Sequence, residues 1–225
     1  MATRVSDVLV QSGARRPGCR DLAVTAGLAA VLGGLFLLYG PLNQGPAAWN
    51  VRTPLDEHVP LVTPMVVPYV SALALGPLTL LYFAATRVRL AQSALLAGIA
   101  LLAVAYLFYF FAQTRMDRPE VTGGDPFSAL LRTVYGSDDA YNCFPSLHTG
   151  FSVVIGVHWL WSGHRAGPYV AGWCCLIIAS TLLVHQHYLA DMLAGLAVAG
   201  AACLLARRTV AARHTGEPPE AGDGT

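Results

Sequence analysis

Six apolar runs, each approaching the roughly 20 residues that span a bilayer's hydrocarbon layer, divide this chain and limit what it can fold into. They cover about 22–39, 61–85, 90–112, 146–161, 168–184 and 188–206. Of the 225 residues 55% are hydrophobic and 12% charged, and a soluble domain of this length could not hide so many runs in one core. In lipid the backbone must satisfy its own hydrogen bonds, so the runs are predicted to be helices. The expected fold class is all-α: a polytopic membrane protein built as a six-transmembrane-helix bundle. Three parts follow, namely a cytoplasmic segment 1–20, a membrane domain 21–208 and a cytoplasmic tail 209–225, whose "TGEPPEAGDGT" composition predicts disorder.

All 14 basic residues are arginines. Ten of them (Arg4, Arg15, Arg16, Arg20, Arg87, Arg89, Arg165, Arg207, Arg208 and Arg213) fall on one side of the expected spans, against Arg52, Arg115, Arg118 and Arg132 on the other. That asymmetry predicts both termini in the cytoplasm. A secretory signal peptide is the competing reading of the first run, but no convincing small-residue cleavage site follows it. A net charge of +1, with arginines at span ends rather than in a patch, leaves no nucleic-acid footprint. The five cysteines have no metal-ligand spacing, and Cys174 and Cys175 read as packing residues within an apolar run.

The reactive polar residues gather at one membrane face. "QTRMDRPEV" ends the third run, "FPSLHTG" opens the fourth, and "STLLVHQHYLADMLAG" joins the fifth to the sixth. Arg115, Arg118, Ser146, His148, His185, His187 and Asp191 are thereby brought to one side, where ionisable groups are costly and usually functional. His187 and Asp191 are four apart and would share a face on a helix. The carboxylate would hold one ring nitrogen and leave the other free as a nucleophile. His148 is placed to protonate a leaving oxygen. Ser146 is positioned as an N-cap with free backbone N–H groups behind it, an anion site, and Arg118 offers a charged fork for phosphate oxygens. Phosphoryl transfer depends on such positioning and charge neutralisation.

These residues resemble the phosphatidic acid phosphatase type 2 superfamily of membrane lipid phosphatases and phosphotransferases, whose pattern reads K-x6-R-P, P-S-G-H and S-R-x5-H-x3-D. Arg118-Pro119 matches the end of the first block; Pro145, Ser146 and His148 match the second, with Leu147 in place of glycine; Ser180, His187 and Asp191 match the third. The motifs lie at 115–119, 145–148 and 180–191. The lysine position falls on Phe111 and the arginine after Ser180 is Thr181, so two cationic phosphate ligands of the pattern are missing; Arg115, Arg132 or His185 are the candidates to replace them. "FPSLH" with "QHYLADMLAG" is similar to the inositol phosphorylceramide synthase branch, which moves a phosphorylated head group between lipids.

The resemblance implies a helix bundle of the PAP2/haloperoxidase type, with His187 as nucleophile, Asp191 as its orienting partner and His148 as general acid. It implies no metal and no cofactor. The substrate would be a membrane lipid phosphate or phospholipid head group, and the acceptor a polyol or lipid alcohol, or water in a simple phosphatase. A non-catalytic lipid-binding or transport protein is the remaining alternative, argued by the two missing cations. No H-E-x-x-H zinc pattern, G-x-S-x-G elbow or aspartate-rich CDP-alcohol phosphotransferase pattern occurs.

Other polar residues have plainer readings. His158, mid-run, is expected to pack and hydrogen-bond. Asp138 and Asp139 read as a solvated turn, and Tyr135 and Tyr188 as interfacial aromatics. Gly195 and Gly200 are expected to permit close helix packing. Asp125-Pro126 predicts the start of a short interfacial helix over "PFSALLRTVY".

Overall fold

The computed structural model describes residues 17–47 and 49–215. Seven helices of eight residues or more occur among them: α1 (Cys19–Phe36), α2 (Val66–Thr86), α3 (Val88–Phe111), α4 (Pro126–Ser137), α5 (Leu147–Trp161), α6 (Gly167–Leu183) and α7 (Leu189–Thr215). No strand forms among the described residues; two isolated bridges, Trp49 with Thr114 and Arg115 with Tyr141, tie the two long connections together. The all-helical expectation holds, and each apolar run is a helix.

The count of six spans is not reproduced by length. Four helical stretches, Cys19–Leu42, Thr63–Thr86, Val88–Phe111 and Leu189–Arg213, are long and apolar enough to cross a membrane. α5 has 15 residues and α6 has 17, which at ~1.5 Å per residue fall short of a ~30 Å hydrocarbon layer. The shortening has a local cause. α5 begins and α6 ends at the irregular turns 142–146 and 184–188, where the chain leaves the helix to place polar groups.

α3 is the central helix and packs against α1, α2, α5 and α7. Leu101, Leu102 and Ala105 of α3 meet Leu147 and Val154 of α5 and Ala199, Ala202 and Cys203 of α7 in the largest apolar cluster. A second cluster, with Phe83, Ile155, Trp159 and Val210, closes the other end of the bundle. Val210 explains why α7 continues to Thr215, beyond the end of the apolar run and into residues assigned to the tail; the remainder of that tail, like Arg4, Arg15 and Arg16, lies outside the described residues. Leu73, Leu81, Phe110 and Tyr169 point outward and are strongly exposed, as expected of a lipid-facing surface.

Because lipid offers helices no hydrophobic reason to associate, polar cross-links and close contacts carry much of the specificity. His158 fulfils its structural reading: its ring nitrogens lie 2.7 Å from Val154 O and 2.9 Å from Ser93 Oγ. Trp159 Nε1 donates to Thr79 Oγ1 at 3.0 Å, and Gln92 Nε2 to Asp21 O at 3.2 Å. Gly195 sits where α7 crosses the start of α5; a Cβ there would lie 2.6 Å from Ser146 O. Gly200, by contrast, faces open space.

α4 is the short amphipathic helix expected over "PFSALLRTVY". Asp125 caps it, accepting N–H bonds from Phe127 at 2.9 Å and Ser128 at 3.1 Å, and Pro126 fills its first position.

Candidate active site

Three chain segments with no helical register between them converge on one recess. The first is the loop after α3, which carries Arg118. The second is the turn into α5, and the third is the junction between α6 and α7. Each is built by its own backbone chemistry.

At the second segment Ser146 is an N-cap. Its Oγ accepts the Thr149 N–H at 3.2 Å, and its own N–H donates to Asp191 O at 3.0 Å. Ser146 thus joins the first turns of α5 and α7. Its side chain is fully buried and already occupied, so it holds the recess together rather than lining it. His148, second residue of α5, presents its ring to the recess and stacks on Tyr69 of α2, with centroids 4.2 Å apart and planes 18° apart.

At the third segment Thr181 O accepts both the Gln186 and the His187 N–H, at 3.0 and 3.1 Å. His185 adopts φ +48° to make that turn. His187 therefore precedes α7 rather than lying on it, which corrects the expectation of a shared helical face. Its partner comes from the first turn: Asp191 Oδ2 accepts the Tyr188 N–H at 2.8 Å and lies 3.6 Å from His187 Nδ1. A 3.6 Å separation is an ion-pair distance rather than a hydrogen bond. His187 Nδ1 and Asp191 Oδ1 are both buried without hydrogen-bond partners. The His148 and His187 centroids are 6.4 Å apart.

Arg118 completes the group. Its Nη1 donates to Asp138 O at 2.7 Å and Tyr135 O at 3.2 Å, and its Nη2 to Gln186 Oε1 at 2.6 Å. The guanidinium lies over the Tyr135 ring, 4.8 Å from its centroid, and Tyr135 OH donates in turn to Val184 O at 2.7 Å. Neutral acceptors hold the cation in place without cancelling its charge, which remains available to an anion.

The recess encloses about 300 Å³ of empty space, part of it open solvent at the mouth. Besides Arg118, His148 and His187 its walls include Tyr39, Tyr69, Tyr109, Asp138, Asn142 and Gln186. Asp138 does not sit in the solvated turn expected of it: Asn43 Nδ2 donates to its Oδ1 at 2.7 Å and Tyr39 OH at 3.3 Å. Burial pushes this carboxyl above the ordinary carboxylate range, with Arg118 acting against the rise. Tyr188, expected at an interface, is buried, and its OH accepts the Asp117 N–H at 3.1 Å.

Arg115 and His185 fall outside the recess. Arg115, with its side chain 57% exposed, lies 4.0 Å from Asp117. His185 turns toward Val59, and burial holds its imidazole below the ordinary histidine value against a hydrogen bond to the Val59 backbone. Arg132 is tied to Val121 O and Gly123 O. Phe111, in the lysine position of the motif, is 76% exposed, and Thr181 is buried with its hydroxyl donated to Ile178 O. Among the described residues Arg118 is the one arginine in the recess wall. Asn142 and Gln186 escaped sequence reasoning, because no motif marks a neutral amide; only the fold brings them to the recess that Arg118 lines.

A bundle of apolar helices carrying a paired histidine and carboxylate, a second histidine and an arginine around one recess defines a membrane protein equipped for phosphoryl chemistry. A family model described as the PAP2 superfamily matches residues 45–205, and the chain belongs to that superfamily. Neither a curated protein nor a solved structure matches it.

Proposed function

We propose that this chain is a membrane phosphotransferase that moves the head group of a phospholipid or lipid phosphate through a phosphohistidine intermediate. The supporting observation is the convergence of His148, His187, Asp191 and Arg118 from three separated segments, with the two imidazoles 6.4 Å apart. At that spacing one phosphoryl group can touch both rings.

His187 Nε2 attacks phosphorus, and the ester P–O bond breaks. Protonated His148 gives its proton to the departing oxygen, which leaves as an alcohol. An arriving phosphate anion favours the protonated imidazole needed for this step. Asp191 holds His187 by Nδ1 and stabilises the charge that develops on the ring, while Arg118 binds a non-bridging oxygen. In the second half His148, now neutral, takes the proton of an acceptor O–H; that oxygen attacks phosphorus and the P–N bond breaks. An alcohol acceptor gives a new lipid or polyol phosphate, and water gives free phosphate. No step calls for a metal or cofactor. Transfer to an alcohol in the manner of the inositolphosphotransferase branch is favoured by the departures at Phe111 and Thr181, neither of which returns a cation to the recess. The arginine asymmetry supports a plasma-membrane protein with cytoplasmic termini and the recess on the opposite face.

The test is purified protein with a labelled lipid phosphate and a phospholipid panel, with and without inositol or glycerol. His187→Ala is expected to lower turnover at least about a thousandfold while the protein keeps its melting temperature. Undiminished turnover in that variant would falsify the assignment. A new polyol- or lipid-linked phosphate identifies a transferase, and free phosphate alone a phosphatase.

A further inference from the structure

Two amide side chains that line the recess with Arg118 have a buried N–H2 group with no partner. Gln186 and Asn142 are 3% and 2% exposed, both line the recess, and Gln186 Nε2 and Asn142 Nδ2 make no hydrogen bond. Neither amide can be turned end for end to remove the orphan. Arg118 has only donors, so the Gln186 atom at 2.6 Å from Nη2 must be oxygen. Gln113 Nε2 donates to Leu42 O at 2.8 Å, which fixes it as nitrogen; the Asn142 atom 2.7 Å from it is then oxygen as well. Each amide therefore has its oxygen fixed by an acceptor contact and its N–H2 end left buried and unpaired in a residue that lines the recess. Arg118 Nε is a third buried donor without a partner. Buried orphan donors cost free energy unless a ligand satisfies them.

The charges around these donors are also unusual for a phosphate site. One permanent cation, Arg118, shares the recess wall with two carboxyls, Asp138 and Asp139, and with His148 and His187. Neutral N–H groups bind phosphoryl oxygens well but gain little from a second negative charge, whereas nearby carboxylates oppose one.

Building on the phosphoryl-transfer reading, we propose that Gln186 and Asn142, together with Arg118, form an anion pocket that replaces the missing cationic ligands and selects a singly charged phosphodiester over a doubly charged phosphomonoester. The non-bridging oxygens of the diester take the two amide N–H2 groups and the guanidinium. Its second ester arm leaves through the open mouth. The substrate class is accordingly a lipid whose head group is attached through a phosphodiester.

The experiment uses the full-length protein in detergent at pH 8, where a phosphomonoester (second pKa ~6) is a dianion. Dihexanoyl phosphatidylglycerol and dihexanoyl phosphatidic acid are the probes, and binding is followed by thermal stabilisation. Wild type is expected to bind the diester at least about tenfold more tightly, a difference of ~1.4 kcal/mol. Gln186→Glu keeps an oxygen for Arg118, removes the donor and adds a negative charge; Gln186→Met removes the donor without adding charge. Either is expected to lose at least about tenfold in diester affinity. Asn142→Asp, which keeps the acceptor for Gln113, is expected to do the same. Tighter or equal binding of the monoester by wild type overturns the proposal, as does wild-type diester affinity in folded Gln186 variants. Product release from both probes is measured in parallel with His187→Ala. Turnover of the monoester alone, dependent on His187, would retain the phosphoryl-transfer reading and sink the diester pocket; binding of the diester without His187-dependent turnover of either probe would do the reverse.

Discussion

Asp191 has two tasks at once, and they can be separated. Its Oδ2 receives the Tyr188 N–H at 2.8 Å, an N-terminal contact of α7, while the same carboxylate faces His187 Nδ1 at 3.6 Å. Replacement by asparagine keeps an oxygen for Tyr188 and withdraws the charge that would stabilise an imidazolium. Asp191→Asn is therefore expected to reduce kcat by about a hundredfold to ten-thousandfold, with KM and melting temperature close to wild type. A parallel fall in melting temperature and kcat, with both restored by the same second-site change, would reduce Asp191 to a helix cap. Arg118 shows a related economy of placement, since three neutral oxygens orient it and, among the described residues, no carboxylate forms an ion pair with it.

At the scale of elements, the start of α7 is assembled from parts far apart in sequence. Asp56, in a 3-10 turn (Asp56–His58) before α2, accepts the Leu189 N–H at 2.7 Å through Oδ1. Its Oδ2 takes the Thr53 N–H at 2.7 Å and the Thr53 hydroxyl at 2.6 Å. Burial works to raise this carboxyl, but the bonds from Thr53 and Leu189 outweigh it and hold the pKa below its ordinary value of 3.8. A carboxyl whose folded pKa lies below its unfolded one stabilises the fold above the unfolded value, and that contribution is lost as pH falls through the folded value. Asp56→Asn should cost about 1–2 kcal/mol at pH 7, and the gap should close below about pH 4. Melting curves of both proteins in detergent from pH 7 to pH 3 measure this. A gap that stays constant to pH 3 would show that Asp56 acts by shape alone.

At the scale of the whole molecule, α5 and α7 begin and α6 ends at the recess, and α5 and α6 are the two helices too short to cross a membrane by length. Irregular backbone at membrane depth survives only where protein buries it, and the turns 142–146 and 184–188 are covered by α3, α4 and the loop carrying Arg118. With ten arginines on one side of the runs and four on the other, a fluorescent protein fused after residue 225 is expected to fluoresce in the cytoplasm. A cysteine placed at Asp139, exposed at the recess, should react with a membrane-impermeant maleimide added from outside. Labelling only after the cells are opened would reverse the orientation.

Much of this was legible in the sequence, and the reasons for the rest are physical. Hydropathy alone determined that the chain is helical and apolar outside, because lipid leaves the backbone no other way to satisfy its hydrogen bonds. Spacing in "FPSLHTG" and "STLLVHQHYLADMLAG" singled out His148, His187 and Asp191, and Asp125 and Ser146 declared themselves as caps because their chemistry is local. Periodicity misjudged what depends on distant partners. It put His187 on a helix, although bonds from Thr181 O draw the chain into a turn. A common position at one membrane face grouped Arg115 and His185 with the site, although one faces Asp117 and the other Val59. Asp138, Asn142 and Gln186 carry no signature of their own. Their significance comes from Tyr39, Asn43, Gln113 and Arg118, which lie up to 99 residues away in the chain. A hydrogen bond between such residues exists only after the helices have packed, so tertiary structure alone decided which polar groups face the recess and which are left without partners.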